Sequence, residues 1–257
     1  MKKPIKRLLE KMKLLKVARK AAYWFRRPDA NLAYPKSDAA QFYSQFIKKA
    51  DLCFDVGANI GNKAKIFLKL GAKVICVEPQ KECFKELYKL FGRSKNITIV
   101  NKVVAYRDGF LDLSICKEMP NVSTFSDKCK KESIFAKEYG CQWVESERAP
   151  VTTLDTLILQ FGMPKFCKID VEGFEWPVLQ GLTNPVTLIS FEYDDYFFLD
   201  MEKCVNRLLQ IGSYIFNFTI AEPNDKRGLV LSRWAGPDEL INRLYDLKKE
   251  NARLWGD

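Results

Sequence analysis

The sequence predicts an α/β fold with a mostly parallel sheet that helices cover on both faces. Apolar runs typical of buried strands alternate with amphipathic runs typical of helices. A glycine-containing loop within 54-FDVGANIGNKAK-65 joins the first of these strands to a helix, and acidic residues close three strands, at Asp55, Glu78 and Asp170. Because ligands of such sheets bind at the carboxyl ends of the strands, these acids are candidates for a site.

The order of the elements follows from apolar spacing and from the glycines and prolines between the runs. The predicted strands are 51–56, 73–78, 97–105, 110–116, 149–153, 165–170, 186–192, 213–219 and 228–232. The predicted helices are 37–50, 62–70, 80–91, 154–161, 176–181, 200–211 and 237–253. Pro177 and Pro237 each fit the first turn of a helix, and Thr152 with Asp155 has the spacing of a capping box.

Two connections carry further information. Residues 117–148 show no periodicity, and a long irregular segment inside a compact domain is often a functional loop. The loop 220–227 is too short for a parallel crossover, so we expect the last two strands to pair antiparallel if they pair.

The positive charge of the chain is concentrated at its N-terminus. Residues 1–27 hold eleven Lys/Arg and one acid, which leaves 31 bases and 31 acids in the rest of the chain. Apolar residues recur there at helical spacing, so we predict a basic amphipathic helical segment, residues 1–28, ahead of one domain, residues 29–257. This segment either lies on an anionic membrane surface or packs on the domain with its basic face in solvent. A nucleic-acid arm is less favoured, because the domain itself is neutral.

The cysteines and the absence of histidine restrict the chemistry. The chain has eight cysteines without a CxxC pair, and it has no histidine. Zinc sites and disulfide frameworks are therefore poorly supported, and we expect a reducing cytoplasmic location.

The glycine loop favours one class of nucleotide-like ligand. A dinucleotide site has the pattern GxGxxG, whereas positions 57, 59 and 62 are Gly, Asn and Asn. Asp55 at the head of the loop would repel a pyrophosphate but attract an ammonium group, and Glu78 is placed to accept hydrogen bonds from a ribose diol. S-adenosylmethionine carries the ammonium and the diol and has no phosphate.

Four motifs in this order, FDVGANIG, VICVEP, VTTLDTL and KIDVEGFEWPVLQG, resemble the FkbM-type S-adenosylmethionine-dependent methyltransferases over about residues 50–195. The resemblance implies a class I methyltransferase Rossmann-like fold, with a mostly parallel seven-stranded sheet whose last strand is antiparallel. It also implies O-methylation, typically of sugar hydroxyls in polysaccharides, glycolipids or glycosylated natural products. The expected partner is thus a glycan or glycolipid acceptor.

The resemblance also assigns cofactor residues, most of them near the ends of strands. The assigned residues are Asp55, Gly57, Asn59 and Gly61 for the methionine end, Glu78 for the ribose, Val104 and Ala105 for the surroundings of adenine, and Asp170 for the junction with the substrate, with Ala58 and Pro79 as further cofactor-binding residues. The chain departs from the family pattern at Ala64, where a hydroxyl residue is common. Residues 117–148 match no part of the pattern.

An alcohol must lose its proton as it accepts a methyl group, and histidine is the usual base. Since this chain has none, the base must be a carboxylate or a less usual group such as Tyr or Lys. Among the carboxylates we expect Asp170 first and Glu172 and Glu192 next, followed by Asp194 and Asp195. Glu172 has an alternative role as a helix cap. Mg²⁺ held by the same carboxylates ranks second, because no characteristic metal spacing is visible.

Two other classes of function stay open at this point. The first is a nucleic-acid methyltransferase that uses the basic segment as an arm, although we expect no nucleic-acid partner. The second is a non-catalytic cofactor-binding or scaffold protein of the same fold.

Overall fold

The computed structural model describes residues 38–116, 123–137, 141–194, 198–220, 228–250 and 255–256. The predicted basic segment, residues 1–28, lies outside these ranges, and its role stays a prediction. Within the described ranges, no helix combines the length and the apolar character needed to cross a membrane.

The centre of the fold is a parallel sheet of five strands in the order β3-β2-β1-β7-β8. Their bounds are Leu52–Val56 (β1), Lys73–Val77 (β2), Ile97–Val100 (β3), Phe166–Ile169 (β7) and Leu188–Phe191 (β8). A smaller sheet, β4-β6-β5, joins Val103–Val104 (β4), Gly109–Cys116 (β5) and Trp143–Thr152 (β6). A third, two-stranded sheet pairs Tyr193–Asp194 (β9) with Trp255–Gly256 (β10) antiparallel.

Helices cover both faces of the central sheet, as the alternating pattern predicts. Their bounds are Asp38–Tyr43 (α1), Asn62–Lys69 (α2), Lys81–Phe91 (α3), Asp127–Glu132 (α4), Ile134–Lys137 (α5), Leu154–Phe161 (α6), Glu175–Gln180 (α7), Phe198–Ile211 (α8) and Pro237–Glu250 (α9). One face of the sheet packs on α6, α7, α8 and α9 through a large hydrophobic cluster. The other face packs on α1, α2 and α3, and it contains two buried charged residues, Asp55 and Lys168.

Residues 97–105 form two strands where the sequence predicts one. The side-chain amide of Asn101 donates hydrogen bonds to the carbonyl oxygens of Glu78 (2.8 Å) and Pro79 (3.0 Å). Since Asn101 is tied to the end of β2, the chain leaves the central sheet there, and β4 joins β6 instead. The segment that lacks periodicity also has more structure than predicted, because it contains α4, α5 and the first half of β6.

The predicted strands 213–219 and 228–232 are not regular strands, so the described central sheet has five strands rather than seven. The two segments do touch, since the Val230 N–H donates to the Phe218 carbonyl oxygen at 2.8 Å, and an isolated antiparallel bridge joins Phe216 to Ala235 just beyond the second segment. Between them, the side chain of Asn217 accepts from the Leu231 N–H (3.0 Å) and donates to the Leu231 carbonyl oxygen (2.9 Å). A side chain thus takes hydrogen bonds that a strand ladder would use.

The helix caps differ from the prediction at α6. Thr153, and not Thr152, is the N-cap, and its hydroxyl accepts from the Thr156 N–H at 3.0 Å. Asp155 does not complete a capping box, because its carboxylate accepts from the Thr183 N–H (3.0 Å) and hydroxyl (2.7 Å). The predictions for Pro177 and Pro237 are confirmed, since each lies in the first turn of its helix.

Candidate functional site

The glycine loop brings the end of β1 against the end of β7. Gly57 has φ of +80°, and a Cβ there would lie 1.8 Å from the carbonyl oxygen of Asp170. Gly61 has φ of +85° and precedes α2, and a Cβ there would meet the side chains of Leu87 and Phe91 at 2.7 and 2.6 Å. Both positions combine left-handed backbone with close contact, which only glycine accepts without strain. The loop conformation is therefore fixed by these two residues.

Glu78 is held by the backbone of the loops beside it. Its Oε2 accepts from the Asn59 N–H and its Oε1 from the Gln80 N–H, both at 2.8 Å. Burial raises the pKa of Glu78 to about 7, against the lowering effect of these two donors. Each oxygen has a second lone pair, so the oriented carboxylate can still accept from two adjacent hydroxyl groups.

Asp55 is 1% exposed at the end of β1. The Ala64 N–H at the start of α2 donates to its carboxylate, whereas Oδ2 has no hydrogen-bond partner within the described ranges. Burial raises the pKa of Asp55 to about 6, and the nearby ammonium of Lys168 acts in the opposite direction. Since buried polar atoms are nearly always paired, this oxygen is a position where a ligand donor fits.

Ala64 and Ala58 also lie at this end of the sheet with buried side chains. Ala64 departs from the family pattern, but it serves the site through its backbone N–H, which contacts Asp55. The Ala58 N–H donates to the Val77 carbonyl oxygen at 3.1 Å.

Three acids form a cluster at the ends of β7 and β8. Oxygens of Asp170, Glu172 and Glu192 lie within 4.8 Å of one another, and all three residues are partly buried. Burial raises the pKa of Glu172 and of Glu192 well above the ordinary value, and the charge of Asp170 raises both further. The structure thus brings together the three residues that the sequence nominates as bases. Of the two further candidates, Asp194 lies in β9, and Asp195 lies outside the described ranges.

The loop that carries Glu172 is closed by a different glutamate. Glu175 Oε1 accepts from the N–H groups of Val171 (3.0 Å) and Gly173 (3.3 Å), and burial raises the pKa of Glu175 to about 7. Phe174 is the N-cap of α7, so the alternative role of Glu172 as a cap is wrong. Glu172 has φ of +54°, and its carbonyl oxygen accepts from the hydroxyl of Thr124 at 2.9 Å.

Sequence reasoning missed two residues of this site. Thr124 is fully buried and connects the segment without periodicity to the Glu172 loop. Lys168 is 1% exposed, and its Nζ lies 3.1 Å from Asp170 Oδ2. A lysine inside a buried strand was the available signal for Lys168, because its spacing of two residues from Asp170 places both on one face of the sheet.

Val104 and Ala105, the residues assigned to adenine, lie where β4 meets β6. Both are buried, and the Ala105 N–H donates to the Thr152 carbonyl oxygen at 2.9 Å. Gly181 is packed so closely against Ala105 that a Cβ there would lie 2.3 Å from its carbonyl oxygen. This packing gives both residues a structural role. Their contact with adenine stays a prediction, and so does the contact of Pro79 with the cofactor.

Comparison with known proteins identifies the family. The family model described as Methyltransferase FkbM domain matches residues 55–209, more than half of the chain. The chain belongs to this family. The matched range contains every carboxylate described above, from Asp55 to Glu192. The chain therefore contains an FkbM methyltransferase domain, and its described residues form an α/β Rossmann-like fold.

A curated relative and several solved structures are also similar. The hexuronic acid methyltransferase AglP of Haloferax volcanii is 27% identical over 158 residues, which are 61% of this chain and 60% of that protein. A precorrin-6Y C5,15-methyltransferase from Geobacter metallireducens aligns with a TM-score of 0.43 at 9% identity, over 85% of this chain and 84% of that one. The C-terminal domain of the Rhodobacter capsulatus enzyme of the same name aligns with a TM-score of 0.39 at 12% identity, over 81% of this chain and 91% of that one.

Proposed function

We propose that the protein is an S-adenosylmethionine-dependent O-methyltransferase that acts on a sugar hydroxyl of a polysaccharide, glycolipid or related glycoconjugate. The observation that carries the proposal is the buried Asp55 Oδ2 without a partner in the described structure, close to the oriented carboxylate of Glu78. An ammonium group and a ribose diol are complementary to these two groups, and S-adenosylmethionine carries both.

The described residues fit this cofactor. Asp55 would hold its ammonium, Glu78 would accept from its ribose hydroxyls, and the positive-φ residues of the loop leave backbone close to the ligand. No phosphate-binding group is needed at Asp55, where a phosphate would be repelled. When bound, S-adenosylmethionine supplies a methyl group on a sulfonium, which is an activated leaving group.

The chain then has two tasks, alignment and removal of a proton. Alignment of a bound acceptor can account for ~7–11 kcal/mol of the barrier. The proton of the acceptor hydroxyl would pass to the cluster of Asp170, Glu172 and Glu192. Burial and the charge of Asp170 raise the pKa of Glu172 and of Glu192, and a carboxylate with a raised pKa is a stronger base. Asp170 keeps its place as a candidate, although one of its oxygens is engaged by Lys168.

A sugar hydroxyl is the acceptor that the cluster favours. Three neighbouring carboxyl groups offer several acceptor positions for hydroxyl donors. The relative from Haloferax volcanii, named as a hexuronic acid methyltransferase, supports a uronic acid residue as the first acceptor to try.

We further propose that residues 1–27 bring the enzyme to anionic lipid, and so to a lipid-linked or membrane-proximal acceptor. The support is the concentration of eleven Lys/Arg in this segment. Flotation with anionic liposomes should show salt-sensitive binding that a chain without residues 1–27 lacks. Equal flotation of the truncated chain would contradict this role.

The proposed function is tested in two steps. S-adenosylhomocysteine at ~100 times its dissociation constant should stabilise the protein by about 2.7 kcal/mol, and NAD should not. Transfer of isotopically labelled methyl from S-adenosylmethionine is then measured on glycans with and without uronic acid, followed by mass spectrometry of the products. Stabilisation by NAD alone would contradict the cofactor. Cofactor binding without methyl transfer to any glycan would favour the scaffold alternative, and transfer to RNA would favour the nucleic-acid alternative.

A further inference from the structure

Lys168 occupies an unusual place in the sheet. It lies in the middle of the buried strand β7, directly opposite Asp55 of the neighbouring strand β1. Residues opposite one another in adjacent strands project to the same face, and so does Asp170, two residues after Lys168. The sheet therefore places one buried ammonium between the carboxylate proposed to receive the cofactor and the carboxylate that begins the acid cluster.

Contacts and burial define what Lys168 can do. Its Nζ is 3.1 Å from Asp170 Oδ2, and the side chain is 1% exposed. Because this ammonium is paired with Asp170 and has the same charge as the ammonium of the ligand, Lys168 is not the group that receives the ligand. Its charge acts on Asp55, whose Oδ2 has no partner within the described ranges.

The charges around Asp55 explain why a cation is needed there. Asp170 from β7 and Glu78 after β2 are acidic, Cys76 of β2 lies opposite Asp55, and Lys63 of α2 is a second nearby base. A buried carboxylate beside other acids does not stay ionised without a nearby cation. The ammonium of Lys168 supplies that cation, so Asp55 can stay ionised and receive the ammonium of a ligand.

We propose that Lys168 is a positioning residue of the cofactor site: its buried ammonium, paired with Asp170, holds Asp55 in the ionised form that receives the ammonium of the ligand. This role rests on the proposed function, because it assumes a ligand with an amino-acid end. Without Lys168, Asp55 would carry a proton in the free protein, and the ligand would have to displace it.

The role predicts a change in proton release rather than a simple loss of affinity. The charge of Lys168 attracts Asp55 but also repels the ligand ammonium, so the two effects on affinity oppose each other. The effect of the substitution on the number of protons released on binding, in contrast, has one expected direction. At pH 7 the wild type should release few protons from Asp55, whereas Lys168→Met should release up to about one for each ligand bound.

The experiment is calorimetric titration in two buffers of different ionisation enthalpy, with S-adenosylhomocysteine and with 5′-methylthioadenosine as probes. The second probe has the ribose but no amino-acid end, so both probes should release the same number of protons from Glu78. Subtracting the proton release of the second probe from that of the first therefore removes the contribution of Glu78. Lys168→Met should increase this difference, and Lys168→Arg, which keeps the charge, should restore the wild-type value. Lys165→Met is the matched control, because Lys165 is exposed at the opposite end of the same strand.

The possible results are distinct. If S-adenosylhomocysteine does not bind the wild type, the proposed cofactor is wrong, and the role of Lys168 is overturned with it. If it binds and the difference in proton release is the same in Lys168→Met as in the wild type, the role of Lys168 is overturned while the cofactor stands. If Lys168 had only a structural role, Lys168→Met would weaken the binding of both probes equally. Should Lys168→Met fail to fold, Lys168→Gln, which keeps a donor toward Asp170, gives the same measurement.

Discussion

The site has two sides that hold their carboxylates in different ways. On the cofactor side, which comprises Asp55, the loop 57–61 and Glu78, backbone N–H groups orient each carboxylate. On the acceptor side, which comprises Asp170, Glu172 and Glu192, the carboxylates lie against one another, with Lys168 as a nearby cation. Fixed N–H donors orient the carboxylates of the cofactor side for binding. Acids that repel one another raise one another's pKa, which suits the acceptor side to transfer of a proton.

The largest effect is expected from the acceptor side. Loss of the general base should lower kcat by about 10²–10⁴-fold and leave the affinity for S-adenosylhomocysteine almost unchanged. The base is identified by comparing Asp170→Asn, Glu172→Gln and Glu192→Gln in the methyl-transfer assay. If all three keep near-normal turnover, the proton leaves by another group, and the contrast between the two sides is lost.

The same variants also test how the acids interact. If Glu172 or Glu192 is the base, Asp170→Asn removes a negative charge that raises its pKa, so the acid limb of the kcat profile should move to lower pH. If Asp170 is the base, turnover should instead fall at every pH. If EDTA abolishes activity and Mg²⁺ restores it, the same carboxylates hold a metal ion, and the interpretation of these acids as the base is wrong.

On the cofactor side, the next effect should come from Gly57→Ala. Backbone strain at a positive φ costs about 1–3 kcal/mol, and the added Cβ would also meet the Asp170 carbonyl oxygen. We expect a lower melting temperature together with loss of S-adenosylhomocysteine binding. Gly228→Ala is the control, because no described residue lies within 4 Å of a Cβ there. Wild-type binding in Gly57→Ala would show that the loop is not fixed as described.

These contrasts also explain what the sequence could and could not predict. The cofactor side follows from local signals, since Asp55, Gly57 and Gly61 are neighbours in the chain and Glu78 ends the next strand. Lys168 and Thr124 depend on partners that only the fold brings close, through the register of β1 with β7 and through a contact 48 residues apart in sequence. Near the C-terminus, the side chain of Asn217 forms the hydrogen bonds that strand pairing would otherwise form. The hydrophobic periodicity of the sequence does not show such a replacement.

Asp55→Asn should weaken one end of the cofactor selectively. A hydrogen bond to a charged group contributes about 1.5–3 kcal/mol, so S-adenosylhomocysteine should bind roughly 10–150-fold more weakly. Binding of 5′-methylthioadenosine, which has no ammonium, should hardly change. Asp108→Asn, in an exposed turn, is the matched control. Equal weakening of both ligands would mean that Asp55 supports the loop and does not bind the ammonium.

The smallest effect concerns stability and pH. The pKa of Glu78 in the folded protein, about 7, is above the ordinary value of 4.5, so the native state holds this proton more tightly than the unfolded state. The contribution of Glu78 to the free energy of unfolding therefore falls as the pH rises from about 4.5 through about 7. The melting temperature of the cofactor-free wild type should drop more between pH 5 and pH 8 than that of Glu78→Gln. Parallel curves would show that the carboxylate titrates normally.

The contrast between the two sides is tested most directly by a crystal structure of the protein with S-adenosylhomocysteine. We expect the ligand ammonium at hydrogen-bond distance, about 2.7–3.2 Å, from Asp55 Oδ2. Both ribose hydroxyls should lie on the Glu78 carboxylate, and the sulfur should face Asp170, Glu172 and Glu192. A ligand whose ammonium lies away from Asp55, or whose ribose lies away from Glu78, would contradict it.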